Sequence, residues 1–146
     1  MRGFAPRIGA MSSLVFALYS DDQSVRSQVV AALGSQVSPS HPHHEIREFA
    51  TGDALRLYLD QKGRVDLFIL DGEAVPEGGM GLARAFKDEI FQCPPVLLLT
   101  GRPSDSWLAS WSKADATVIH PVDPFTLANR VAGLLPIQSI ASTSHA

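Results

Sequence analysis

Hydrophobic positions along the chain alternate between two periods. Leu14 to Tyr19 is a continuous apolar run ending in Ser20-Asp21-Asp22. A run this short, closed by polar residues, reads as a strand buried on both faces. Val25, Val29, Val30 and Leu33 then recur at helical spacing, with an acidic residue before them and Gly34 after them. This predicts a helix from about Gln23 to Gly34. Ser35 to His44, rich in Ser, Pro and His, is a loop, and Glu45 to Ala50 alternates Ile46 and Phe49 with polar residues as an edge strand does. Thr51 can cap a helix whose apolar face is Ala54, Leu55, Tyr58 and Leu59, stopped by Gly63. Val65 to Leu70 is a second buried strand running straight into Asp71.

Pro76 with Gly78, Gly79 and Gly81 reads as the next loop, and Leu82, Ala83, Phe86 and Ile90 mark a third helix ended by Pro94-Pro95. Val96 to Leu99 is a strand that delivers Thr100-Gly101. Trp107, Leu108 and Trp111 suggest a short fourth helix, and Thr117 to Ile119 a fifth strand leading into His120-Pro121. Leu127, Val131 and Leu134-Leu135 stripe a last helix starting near Asp123-Pro124. No internal repeat is visible.

With 146 residues, 45% hydrophobic and 18% charged, the chain suits one compact domain. The expected division is a flexible tail over 1–13, a domain over 14–135 and a disordered tail over 136–146. A net charge of −3 leaves no basic surface of the kind that neutralises many phosphates, so nucleic acid is not an expected partner. The single cysteine, Cys93, cannot form an intramolecular bridge, and nothing suggests a disulfide-stapled scaffold. The apolar runs fall far short of the roughly 20 residues that cross a bilayer. Met1 to Ser13 contains Arg2 and Arg7 but no apolar block suited to a signal peptide. A soluble, cytoplasmic protein is the expectation.

Strands alternating with helices through short loops predict a doubly wound α/β fold with a five-stranded parallel sheet. In such sheets ligands bind beyond the carboxyl ends of the strands, where the strand order reverses; for order 2-1-3-4-5 this lies between the first and third strands. The residues there are Asp21, Asp22 and Asp71. Carboxylates gathered at one sheet edge repel each other, which implies a hard cation such as Mg²⁺ or a raised pKa on one of them.

These landmarks resemble the response-regulator receiver domain of two-component signalling, over roughly Leu14 to Leu135. The matching features are the acidic cluster after the first strand, Asp71 after Phe-Ile-Leu, Thr100-Gly101 after the fourth strand, and the proline after the fifth. The resemblance implies that Asp71 accepts a phosphoryl group from a sensor histidine kinase or phosphotransfer protein. It also implies that Thr100 contacts that group, and that Mg²⁺ is held by Asp21, Asp22, Asp71 and the backbone carbonyl of Glu73. Aligning Val25-Arg26 with the family's hydrophobic-Arg pair puts Ser20 and Asp21 in the two acid positions; a one-residue slip would put Asp21 and Asp22 there. His120 takes the place of the family's lysine. An imidazole is mostly uncharged at pH 7, so the site lacks a permanent positive charge. Pro76 lies five residues after Asp71 instead of four, which lengthens that loop, and the aromatic switch position is Thr117.

The resemblance implies signal transduction as a stand-alone receiver, with output through protein contacts at the fourth helix, fifth strand and fifth helix, and with a homodimer as one option. A receiver-like protein-binding module that works without phosphorylation is the alternative; His120 and the altered loop favour it. An Mg²⁺-dependent phosphohydrolase with Asp71 as nucleophile is disfavoured, because Glu73 stands where such enzymes want a second aspartate. Trp107 and Trp111, four residues apart, either pack on the sheet or form a partner patch, in which case at least one indole is exposed. His41, His43 and His44 lack a second ligand set at zinc spacing and read as a solvated loop. The glycines at 78, 79 and 81 make no phosphate-binding fingerprint and read as turn residues.

Overall fold

The protein is described from a computed structural model covering residues 13–101 and 106–136. The tails expected over 1–13 and 136–146 therefore fall almost wholly outside the described residues. Strands and helices alternate in chain order: β1 (Leu14–Tyr19), α1 (Gln23–Leu33), β2 (His44–Phe49), α2 (Gly52–Asp60), β3 (Leu67–Asp71), α3 (Gly79–Glu89), β4 (Val96–Thr100), α4 (Ser106–Ser112), β5 (Ala116–Ile119) and α5 (Pro124–Leu134). The strands form one parallel sheet in the order β2-β1-β3-β4-β5, as the alternating pattern predicts.

Side chains alternate across each strand, and the two faces of the sheet carry separate cores. Phe16, Leu18, Ile69, Leu97 and Leu99 point to one face, where Val29 and Leu33 of α1 and Leu127 and Val131 of α5 cover them. Ala17, Tyr19, Phe68, Leu70 and Leu98 point to the other, under Leu55 of α2 and Leu82, Ala83 and Phe86 of α3. β3 and β4 are buried at every position, which is why they read as unbroken apolar runs. β2 and β5 are the sheet's edges and are only partly buried.

The helix starts follow the capping chemistry of the sequence. Asp22 accepts from the Ser24 N–H at the head of α1, Thr51 from Ala54 N–H in α2, and Asp123 from Thr126 N–H in α5. Glycine is where the pattern misled: Gly79 and Gly81 lie inside α3, with Gly78 as its cap. A Cβ at Gly79 would stand 2.8 Å from the Asp71 backbone, so the helix approaches the strand end closely there. Trp107 and Trp111 are 67% and 47% exposed, which removes the core reading of this pair. Among the described residues no helix is long and apolar enough to cross a membrane.

The histidine loop also departs from expectation. His43 is exposed, but His41 and His44 are buried, 8% and 6% exposed. They pack because each ring finds a backbone carbonyl: the His41 Nε2 lies 3.2 Å from the Ala132 oxygen and the His44 Nε2 lies 2.7 Å from that of Gly34.

Candidate functional site

Sheet register places the site. Asp71 ends β3 opposite Leu99, and the next N–H, from Gly72, donates to the Leu99 carbonyl at 2.8 Å. Ser20 continues β1 by donating its N–H to Phe49 (3.1 Å), and His120 continues β5 by donating to Thr100 (2.8 Å). Three strand extensions thus bring Ser20, Asp71 and His120 together at the carboxyl edge. A cleft of about 410 Å³ opens there, lined by Asp21, Asp22, Val25, Asp71, Glu73, Gly101 and His120. Thr100 is buried at the end of β4, and Gly101 forms the wall on that side. A Cβ at Gly101 would stand 2.7 Å from the Glu73 carboxylate, so a side chain there would push that carboxylate aside.

Asp71 is 2% exposed, and both of its carboxylate oxygens accept hydrogen bonds. Oδ2 accepts from the Ser20 hydroxyl at 2.7 Å; Oδ1 accepts from the Glu73 N–H at 2.9 Å and from His120 Nε2 at 3.0 Å. Because a carboxylate only accepts, the His120 Nε2 carries a proton in this contact. Ser20 is held in turn: its hydroxyl accepts from the Asp22 N–H at 3.1 Å, and its carbonyl accepts from Arg26, which also pairs with Glu48. Arg26, the second residue of the hydrophobic-Arg pair, therefore positions Ser20.

The remaining acids are engaged elsewhere. Asp22 caps α1 through the Ser24 hydroxyl (2.7 Å) and N–H (2.8 Å), and those bonds hold its carboxyl below the usual range. Asp21 accepts from the Val75 N–H at 3.2 Å. The loop after Asp71 is strapped down by a bidentate Arg56–Glu77 pair, at 2.7 Å for each bond, and by the Tyr19 hydroxyl donating to the Glu77 carbonyl. Burial, reinforced by the Glu77 charge, raises the Tyr19 pKa.

The expected ligands of a divalent cation share this cleft without being drawn onto one point. Hard cations need several free oxygens converging on one point. Here both Asp71 oxygens already accept hydrogen bonds, Oδ2 only one, while Asp22 caps the helix and a serine hydroxyl aims at Asp71 from the position of an acid. Among the described residues, no three His, Cys, Asp or Glu side chains converge on a site that could hold a metal ion. Of the expected ligand set of Asp21, Asp22, Asp71 and the Glu73 carbonyl, the three aspartates line the cleft with Glu73, each accepting a hydrogen bond of its own. Ser20, absent from that set, is the residue that sequence reasoning missed as a direct partner of Asp71; its alignment with an acid position was the available signal.

No protein-family model matches the chain. It is 50% identical over 124 residues to an uncharacterized response regulatory protein of Mycobacterium tuberculosis, found under two strains, a match that covers 85% of this chain and 92% of that protein. Among solved structures, the chemotaxis response regulator CheY4 of Vibrio cholerae superposes with a TM-score of 0.70 at 22% identity, covering 84% of this chain and 99% of that one. The BeF3-activated DrrB receiver domain gives 0.68 at 21% identity, covering 84% and 97%. The low identities of the solved structures speak for the fold alone, but half of all residues shared with a response regulatory protein across nearly its whole length speaks for descent: this chain belongs to the response-regulator receiver family of two-component signalling.

Proposed function

We propose that this receiver transmits its signal by protein contact, and that Asp71 serves in it as a fixed, hydrogen-bonded carboxylate. The observation that carries this reading is the set of three hydrogen bonds that Asp71 accepts, from Ser20, Glu73 N–H and His120. Hydrogen bonds on both oxygens lower the nucleophilicity of this carboxylate, and a phosphoryl group added there would face Asp21 and Glu73 with no permanent cation among the described residues that line the cleft. The contact surface is formed by α4, β5 and α5, where Trp107, Trp111, Ile119 and Phe125 are exposed together. Exposed aromatics of this kind anchor interfaces. Upstream, the partners of such a domain are a sensor histidine kinase or a phosphotransfer protein.

A second reading is supported by the open cleft on which Asp71 lies. In it an Asp71 oxygen attacks the phosphorus of the donor, the donor's leaving group departs with the bonding electron pair, and an acyl phosphate forms. The Mg²⁺ that this reading includes would be held through the remaining lone pairs of Asp21 and Asp71. Intact-mass spectrometry after incubation with a small phosphodonor and Mg²⁺ separates the two. The expected result is an unmodified protein. Full conversion to the mass of one added phosphoryl group, abolished by Asp71→Asn, would overturn the first reading in favour of the second.

A further inference from the structure

At the amino edge of the sheet, opposite the cleft, His44 begins β2. Its ring stacks on Phe16, with centroids 4.3 Å apart and planes inclined by 18°. Its Nε2 donates to the Gly34 carbonyl at 2.7 Å, so the neutral ring carries its proton there and Nδ1 is bare. That Nδ1 is buried with no hydrogen-bond partner. His41 completes the arrangement: its Nδ1 lies 2.5 Å from the Ser38 hydroxyl and its Nε2 3.2 Å from the Ala132 carbonyl in α5. Two histidines thus tie the segment 35–43 to the end of α1 and to the last turn of α5.

We propose that His44 and His41 form an acid-sensitive latch, which holds the segment 35–43 and the end of α5 in place while His44 is neutral and releases them when His44 gains a proton. The proton must go to Nδ1, creating a donor with no acceptor and a cation against Phe16. Burial already pushes the His44 pKa down, and the neighbouring His43 charge pushes it further, against the opposing pull of the Gly34 carbonyl. Among the described residues, the carboxylates of the surrounding elements have partners of their own. β1 presents Leu14 and Phe16. In β2, Glu45 pairs with Arg47, and Glu48 pairs with the one charged residue of α1, Arg26. Asp66, at the foot of β3, accepts from Val15 N–H and pairs with Arg64. Arg130 of α5 lines the groove beside β5 together with Asp123. Swinging the protonated ring into water relieves the strain and breaks the Gly34 bond.

Hydrogen exchange at individual amides, corrected for intrinsic rates, tests this at about pH 7.5 and about pH 5.5. The reporters are Leu14 N–H, which donates to His43, and His44 N–H, which donates to Ser35; Gly72 and His120 N–H are controls at the opposite edge. The expected result is a loss of protection on the order of tenfold at the reporters in acid, without loss at the controls. The loss should vanish in His44→Phe, which keeps the stack, and in His44→Gln, which keeps a donor for Gly34. Unchanged protection in the wild type, or the same acid loss in either folded variant, would overturn the latch.

Discussion

Asp71 and His44 are buried titratable side chains at opposite ends of one parallel sheet, and they differ in how completely their polar atoms are satisfied. Every oxygen of Asp71 has a donor, whereas one nitrogen of His44 has nothing. A buried polar group with all its partners is fixed, while one that lacks a partner is a point where the structure can give way. The family resemblance draws attention to the carboxyl edge, but the poised group is at the amino edge.

The largest effect expected from breaking this contrast comes from freeing Asp71. Ser20→Asp combined with His120→Lys removes two of its donors and places an acid and a permanent cation beside Asp71. Phosphoryl mass on Asp71 from a small phosphodonor should rise from trace to most of the protein, and only with Mg²⁺ present. A double variant that stays unmodified would place the obstacle in the lengthened loop after Asp71.

Asp71→Ala comes next. It leaves the Ser20 hydroxyl, the Glu73 N–H and the His120 Nε2 without their acceptor and should cost roughly 2–4 kcal/mol in urea unfolding. A stabilising substitution would instead show that repulsion from Asp21 and Glu73 outweighs the hydrogen bonds.

A smaller effect is expected of acid on the other edge. His44 titrates below its unfolded value, so the unfolded chain takes up the proton first and folding is weakened as pH falls. The contribution of His44 is fully present above about pH 6.5, declines below it, and is constant again once the folded state is also protonated. Thermal midpoints across this window should fall less in His44→Phe than in the wild type. A parallel decline in both would assign the pH dependence to other groups.

The smallest change belongs to a site that takes no part in either edge. Thr51→Ala removes the N-cap of α2 and should cost about 1 kcal/mol at any pH. A pH-dependent loss there would mean that α2 is coupled to the latch.

Much of this molecule follows from patterns local in the chain. Unbroken apolar runs at β1, β3 and β4, helical spacing between them, and caps at Asp22, Thr51 and Asp123 specify the order of elements, and with it a parallel sheet whose carboxyl edge carries Asp71. These are consequences of the two periods of backbone geometry and of end-of-helix hydrogen bonding, and both act within a few residues. Gly79 escaped this reading because the close approach of α3 to the Asp71 backbone, a contact between distant segments, selects glycine inside a helix, while nothing in the packing requires the glycine at 81. The exposure of Trp107 and Trp111 likewise depended on what packed over α4. Ser20 and His120 reach Asp71 only through the registers of β1, β3, β4 and β5, across sequence separations of 51 and 49 residues. His41 and His44 have the composition of a solvated loop and are buried because carbonyls at the ends of α1 and α5 face them. Partners fixed by register and packing lie outside any local window of sequence; the satisfaction of a polar group, which separates a fixed carboxylate from a poised imidazole, was therefore decided by the tertiary structure.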